Sequence, residues 1–390
     1  MKKKIIVVNT HCIQYYTPLY KKINSNPDIE LELFLCSDYG IKSYFDVEFS
    51  RDVQWDSQLL DGLSWKVFRN VTLFKNVFKP FWGMLNPSLI WSLRNQPKGT
   101  IVWVDSWSQL TLIMAVVFSK LFGHKVYFRC ETPLNQELKK NKFKRIFKNA
   151  LLKLFFQFVD KFLYIGSENK KFYTSLGIKD YNLIFCPYCV DNDYFKSLDA
   201  TLTFDDENNH ELEIISSEFF HTFLFVGKFT HKKRIMFLLD VFKNLNNNKF
   251  RLLLIGSGEL INEMKSFIST NNLKNISILG FKNQSELHKY YRIANTLILP
   301  SGMGETWGLV VNEAMNFNCS LVVSDIIGSS FDLVDEGING FKFKLDNKFD
   351  LIDKIRRVID LNENEVHRAN KDLLRVYNYD IAVENIISSL

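Results

Sequence analysis

Leu299-Pro300-Ser301-Gly302-Met303-Gly304-Glu305-Thr306-Trp307-Gly308-Leu309-Val310-Val311-Asn312-Glu313-Ala314-Met315 is the stretch on which the reading of this chain turns. The β-branched run at 296–299 reads as a strand, the glycines that follow as a loop, and the apolar periodicity of 309–317 as a helix. That order sets a helix start, with its unpaired N–H groups and positive dipole end, at the carboxyl end of a strand, where an anion is well received. Glu305 lies at the loop and Glu313 follows eight positions later. On a helix that spacing is just over two turns, so both carboxylates are expected to address one cleft at different depths. A carboxylate beside a helix start can accept hydrogen bonds from sugar hydroxyls while the N–H groups receive phosphate. The competing reading is an ordinary N-terminal helix charge plus a surface glutamate.

Two upstream junctions have the same design. Val226-Gly227-Lys228-Phe229-Thr230-His231-Lys232-Lys233-Arg234 follows a strand and precedes a helix, with a glycine for close backbone approach and cations suited to phosphate. Ile255-Gly256-Ser257-Gly258-Glu259-Leu260 is another strand, tight glycine turn and helix start. Alone it is a weak signal, short of the full dinucleotide fingerprint, and a structural turn competes with it.

Outward from these junctions, short β-branched runs alternate with amphipathic stretches, the pattern of parallel sheets covered by helices. Strands are expected at 4–8, 31–36, 101–104, 125–128, 162–165 and 183–185, then at 222–226, 251–255, 276–279, 296–299 and 321–323. Helices are expected at 109–121, 138–156, 235–245, 285–294 and 309–317. The polar, acidic segment 199–211 separates the two series and reads as a linker or insertion. The chain of 390 residues, 46% hydrophobic and 24% charged, has material for two cores and is no disordered polymer. Its net charge of +6 permits an anionic ligand or surface but names neither. The Lys2-Lys3-Lys4 start is followed by too short an apolar run for a signal peptide, and no stretch reaches bilayer length, so a cytoplasmic protein is expected. Six scattered cysteines give neither a disulfide framework nor zinc spacing.

Taken together, the motifs resemble the retaining glycosyltransferases of family 4, the group 1 glycosyl transferases of bacterial surface-glycan type. The resemblance spans 223–343. It rests on Phe225-Val226-Gly227-Lys228 with Lys233, the Leu254-Ile255-Gly256-Ser257-Gly258 turn, the Glu305/Glu313 pair, Ser324-Asp325-Ile326-Ile327-Gly328, and Asp335-Glu336-Gly337-Ile338-Asn339-Gly340-Phe341. In the first half, Asp46 to Gly62, Phe128-Arg129-Cys130-Glu131-Thr132 and Pro187-Tyr188-Cys189-Val190-Asp191-Asn192 look similar to a subset of members. The resemblance implies an α/β GT-B fold: two facing Rossmann-like domains with parallel sheets and an interdomain cleft. It places an acceptor-binding domain at 1–190, a linker at 191–220, a donor-binding domain at 221–376, and a last helix of about 377–390 packed on the first domain. It implies retaining transfer from a nucleotide-sugar to a glycan or lipid-linked saccharide in bacterial surface polysaccharide biosynthesis, without metal or cofactor. Lys228 and Lys233 would neutralise the departing diphosphate, Glu305 hold the donor sugar and Glu313 the ribose. Gly227, Gly256, Gly258 and the backbone of Thr306, Trp307, Gly308 and Leu309 would line the donor. His11, Arg129 and Glu131, each following a strand of the first half, are candidates on the acceptor side.

Some features depart from the pattern or compete with it. The first loop, Asn9 to Leu19, lacks the family's usual glycines, and Lys228 replaces an arginine, keeping charge but losing the bidentate fork. Cys186-Pro187-Tyr188-Cys189 spells a redox tetrapeptide, and Asp191-Asn192-Asp193 mimics a metal-binding Asp-x-Asp, both outside the context those roles require. Two basic aromatic stretches stand out: Trp65 to Trp82, and Lys139 to Lys148 leading into an apolar helix. They suit peripheral contact with an anionic membrane; an ordinary helix with its apolar face in the core competes. No nucleic-acid module is recognisable. The rival functions are a silent GT-B scaffold subunit and an epimerase or phosphorylase on the same fold.

Overall fold

The computed structural model describes residues 2–41, 44–46, 49–53, 59–73, 79, 81–201, 219–245 and 249–390. It divides into two compact units. Unit 1 comprises Met1–Tyr44, Ser57–Tyr188 and Tyr379–Leu390; unit 2 comprises Phe45–Asp56 and Cys189–Asn378. Most of the expected linker, 202–218, lies outside the described residues, as do Trp55, Asp56, Lys75 and Phe78 of the quoted motifs. The helix Asn192–Thr201 occupies the linker's first part.

Unit 1 is built on a seven-stranded sheet. Its strands are β1 (Lys3–Asn9), β2 (Ile29–Leu35), β5 (Ser64–Val67), β6 (Ile101–Asp105), β7 (Lys125–Arg129), β8 (Lys161–Tyr164) and β9 (Leu183–Phe185). They lie in the order β5-β2-β1-β6-β7-β8-β9, and every pair is parallel. Both faces are covered, so the central strands read as unbroken apolar runs: Ile5 to Val8 and Val102 to Val104 are buried throughout. Asn86 is buried beyond the ends of β2 and β5, where its side-chain amide donates to the carbonyls of Cys36 (3.0 Å) and Phe68 (2.8 Å) and accepts from the Thr111 hydroxyl. The helix Tyr379–Ser388 closes this unit: Asn385 donates to the Phe185 carbonyl, Tyr379 to the Tyr15 carbonyl, and Tyr127 to the Ser389 carbonyl.

The short strands β3 (Tyr44–Asp46) and β4 (Arg51–Val53) form a separate two-stranded sheet. Unit 2 carries a six-stranded sheet of β10 (His221–Val226), β11 (Phe250–Ile255), β12 (Ile276–Gly280), β13 (Thr296–Leu299), β14 (Ser320–Ser324) and β15 (Gly340–Phe343). Its order is β12-β11-β10-β13-β14-β15, again all parallel. In each sheet the strand order reverses beside the first strand: β1 lies between β2 and β6, and β10 between β11 and β13. Such reversals leave a crevice at the carboxyl ends of the strands, the usual ligand position in open parallel sheets.

Two sequence expectations need correction. The helix expected at 138–156 is two helices, Leu134–Leu138 and Lys142–Phe155. The break comes at Asn141, whose side chain caps the second helix by accepting from the N–H groups of Phe143 and Lys144. That second helix also does not bury its apolar stripe: among its side chains only Leu152 is buried.

Burial holds the His221 imidazole down at about 4, from an ordinary 6.5, while its Nε2 pairs with the Thr296 hydroxyl at 2.8 Å. In the unfolded chain this histidine takes a proton near its ordinary value; in the folded chain it does so only near 4. Stability should therefore fall as pH drops from about 6.5 to about 4, by up to ~3 kcal/mol from this group. Urea unfolding followed across that range should show the loss, and His221→Gln should remove this histidine's share of it, leaving the part that His11, also lowered to about 4, contributes.

Candidate functional site

In unit 2 the chain leaves β10 at Gly227 and β11 at Gly256, and the two turns press together. Both glycines have positive φ, +154° and +145°, and a Cβ on Gly256 would lie 1.8 Å from the Gly227 carbonyl oxygen. The Phe229 N–H donates to the Ser257 carbonyl (2.8 Å) and the Leu260 N–H to the Phe229 carbonyl (3.1 Å), stitching the turns into one surface. Gly258 also has positive φ, +154°. The glycines are thus set by backbone proximity, which the sequence signalled only weakly.

Beyond Gly227, a single 3-10 turn, His231–Lys233, ends at Arg234 in the left-handed conformation (φ +55°). This aims Lys233 at the loop after β13, where its ammonium forms an ion pair with Glu305; both side chains are nearly buried. Burial raises the Glu305 carboxyl, but Lys233 and then Lys232 more than offset it, leaving the group below the ordinary carboxylate range. The loop is tied to the same turn by the Gly302 N–H, which donates to the Lys232 carbonyl at 2.8 Å. Lys228 points elsewhere: its ammonium lies 3.2 Å from a carboxylate oxygen of Asp46 and over the Phe49 ring. Sequence reading missed this pairing: Asp46 opens the stretch to Gly62 noted above, but nothing local says that it meets a lysine 182 positions further along the chain.

Glu305 and Glu313 are not on one helix. The helix is Val310–Asn316, so Glu305 precedes it in the loop and Glu313 belongs to its first turn. The intervening Gly308 has φ +87°, which turns the chain between them. Glu313 is buried, and one of its carboxylate oxygens accepts from the Tyr291 hydroxyl at 2.7 Å. Trp307 is a packing residue, its indole N–H on Asn312 and its ring stacked on Tyr377. The Thr306 carbonyl accepts from the Gly328 N–H, and Leu309 is buried at the helix start.

In unit 1 the candidates gather at the ends of β1, β6 and β7. Arg129 closes β7, almost fully buried, with its guanidinium over the rings of Tyr16 (4.4 Å) and Tyr188 (4.9 Å). Its Nε and Nη1 meet no hydrogen-bond acceptor among the described residues. Glu131 accepts a hydrogen bond from the Tyr16 hydroxyl. Asp105, which the sequence reading did not single out, ends β6 and accepts from Trp103 and Tyr20, each at 2.9 Å. Burial raises its carboxyl to about 6 against the lowering effect of Arg129. The only hint in sequence is a single Asp closing an apolar strand. His11, after β1, pairs its Nδ1 with Thr10 and sits edge-on to Tyr39; burial lowers it to about 4.

The competing motifs gain no support. Cys186 and Cys189 are buried and form no disulfide, and burial raises Cys186 to about 11, the reverse of what a redox nucleophile needs. Asn192 of the Asp-x-Asp mimic is buried and donates to the Tyr377 carbonyl at 3.2 Å. Among the described residues no cluster of three or more His, Cys, Asp or Glu could hold a metal, and no helix is long and apolar enough to cross a membrane.

Residues 213–372, which cover this ion pair and its glycine turns, match the family model described as Glycosyl transferases group 1. Unit 2 carries a group 1 glycosyltransferase domain. An uncharacterized glycosyltransferase of Methanocaldococcus jannaschii is 34% identical over 158 residues, 40% of this chain and 43% of that protein. A second one from the same organism is 27% identical over 194 residues, 48% of this chain and 49% of the relative. The chain thus spans less than half the length of these curated relatives. Among solved structures, Anabaena HepE in complex with UDP is similar over the whole of both chains, with TM-score 0.74 and 13% identity. An E. coli trehalose-6-phosphate structure bound with UDP-2-fluoro glucose covers 99% of this chain and 98% of its own, at TM-score 0.73 and 10% identity. At that identity they show the fold, which is GT-B.

Gly256→Ala should destabilise unit 2 by about 3 kcal/mol or more, since it combines a positive φ with a backbone collision. Gly177→Ala, also at positive φ but with nothing within 4 Å of the added Cβ, should cost only about 1–2 kcal/mol. Thermal melts of the two variants make the comparison.

Proposed function

We propose that the chain is a metal-independent glycosyltransferase, moving a sugar with retained anomeric configuration from a nucleoside-diphosphate sugar to a glycan or lipid-linked saccharide. Its setting is the cytoplasmic assembly of a bacterial surface polysaccharide. The observation that carries this reading is the Lys233–Glu305 pair, held at the strand-order reversal of a group 1 glycosyltransferase domain. Uridine diphosphate is the first candidate for the nucleotide, because HepE and the trehalose-6-phosphate structure were solved with UDP and a UDP-sugar.

The chemistry follows from charge. As the bond between the anomeric carbon and the diphosphate oxygen breaks, negative charge develops on the leaving phosphate. A lysine fixed at that point stabilises it more than it stabilises the intact donor. Lys233 is that cation. Lys228 assists once it exchanges the Asp46 carboxylate for phosphate. Glu305 receives donor-sugar hydroxyls. Glu313, with one oxygen on Tyr291, binds the ribose hydroxyls, and the backbone of 306–309 lines the phosphates. The acceptor oxygen bonds to the anomeric carbon on the face the phosphate leaves, and its proton passes to a phosphate oxygen. Unit 1 supplies the acceptor contacts through His11, Arg129 and Glu131, with Asp105 holding the buried charge of Arg129.

A silent scaffold is disfavoured because the cation and both carboxylates are present. Lys233→Met and Glu305→Gln should each lower turnover by about 100-fold or more. Each also strands a nearly buried charge and should lower stability by about 3–5 kcal/mol. The double variant should recover stability but not turnover, separating a chemical role from a structural one. Full activity in either single variant would discredit the assignment. A thermal-shift panel of nucleoside diphosphates and their sugars identifies the donor: a saturating ligand at about 100 times its Kd adds ~2.7 kcal/mol. If no nucleotide raises the melting temperature and no sugar is transferred, the reading fails.

A further inference from the structure

The helix Lys142–Phe155 faces the wrong way for a helix whose apolar residues serve a core. Phe143 is 82% exposed, Phe147 68%, Leu154 60%, Ile146 55% and Leu151 51%. At about 100° per residue these five fall within one arc roughly 140° wide, so they form a continuous stripe. The helix cannot roll to hide it, because its opposite side is fixed. Leu152 is part of the core, Phe155 packs against it, and Lys148 is paired with the buried Glu137.

The charge around the stripe says what covers it. From Lys139 to Phe155 there are seven basic residues and no acidic one. Glu137 engages Lys140 and Lys148, and Arg145 donates to the Leu138 carbonyl at 2.9 Å. Among the described residues no ion pair engages Lys142, Lys144 or Lys153, and by helical position they border the stripe, Lys144 on one side and Lys142 and Lys153 on the other. Long stems let such lysines lie along apolar surface with their ammonium groups raised to a polar layer. A second copy of the chain would bring two strongly basic faces together, since a two-fold contact pairs a patch with itself. A surface with an apolar interior and anionic headgroups complements both features.

We propose that this helix is a membrane-interface anchor: Phe143, Ile146, Phe147, Leu151 and Leu154 insert at the boundary of headgroups and acyl chains, and the bordering lysines bind anionic lipid. The inference is independent of the sugar-transfer reading.

Flotation of the full chain with vesicles tests it, using phosphatidylcholine alone and phosphatidylcholine mixed with phosphatidylglycerol. The protein should float with the anionic vesicles at low salt, float weakly with the neutral ones, and be released by added salt. Phe143→Ser/Phe147→Ser should cut partitioning by about 100-fold, since each ring is worth about tenfold, with an unchanged melting temperature because both rings are exposed. Replacing Lys142, Lys144 and Lys153 with Glu should abolish the preference for anionic vesicles. The Lys233→Met/Glu305→Gln double variant, which keeps stability but not turnover, should float like the parent, and this separates the result from any failure of the transferase reading. The proposal is overturned if the parent stays with unbound protein on both vesicle types, or if the Phe variant floats unchanged. It is also overturned if light scattering shows a dimer that the Phe variant dissolves while no lipid is bound.

Discussion

The ion pair between Lys233 and Glu305 joins the turn after β10 to the loop after β13, across the place where the strand order of unit 2 reverses. Two nearly buried charges are stable there only because they meet each other, so the pair fixes both loops at once. The Gly302 N–H on the Lys232 carbonyl adds a backbone tie alongside it. What surrounds the pair exists to keep this geometry. Arg234 takes a left-handed conformation to aim Lys233, Gly308 takes another to turn the loop into its helix, and Gly256 gives up its side chain so that two turns can touch.

The same economy is visible in unit 1, with a different chemical result. Arg129, Asp105, Glu131, Tyr16, Tyr20 and Tyr188 form a polar cluster in a largely buried place, at the carboxyl ends of β6 and β7. Aromatic faces flank the arginine and the Asp105 and Glu131 carboxylates act on its charge, so that charge is accommodated while part of its hydrogen-bonding capacity is unused. A buried cation in that condition favours an incoming oxygen-rich ligand, since the cost of removing it from water has already been met by the fold.

Most of the architecture was legible in sequence because both sheets are parallel and covered on both faces, which forces unbroken apolar runs such as Ile5 to Val8 and Leu252 to Ile255. The glycine turns and the 305/313 motif were legible for a related reason: strand, turn and helix follow one another within a few residues. Pairings between distant segments were not. Asp46 meeting Lys228, and Asp105 near Arg129, depend on tertiary placement that leaves no periodic trace. The helix after Asn141 misled in the opposite sense. Its apolar residues have the period of a core-facing helix, and periodicity cannot say whether that face turns inward or outward. The break at Lys139–Asn141 was hidden by good helix formers on both sides.

The return of Tyr379–Leu390 to unit 1 makes that unit discontinuous along the chain. Its closing contacts, Asn385 on Phe185, Ser389 on Tyr127 and Asp380 on Lys22, come from the segment synthesised after all of unit 2. During translation the first sheet therefore waits for its cover, while residues 189–378 are already free to fold as a block. Unit 2 takes all but its Phe45–Asp56 excursion from one continuous stretch, whereas unit 1 is drawn from three separate ones. A fragment ending at Tyr188 would present the uncovered side of β9 and the first helix, Thr17–Asn24, to solvent, and its poor behaviour would say nothing about the stability of the intact protein.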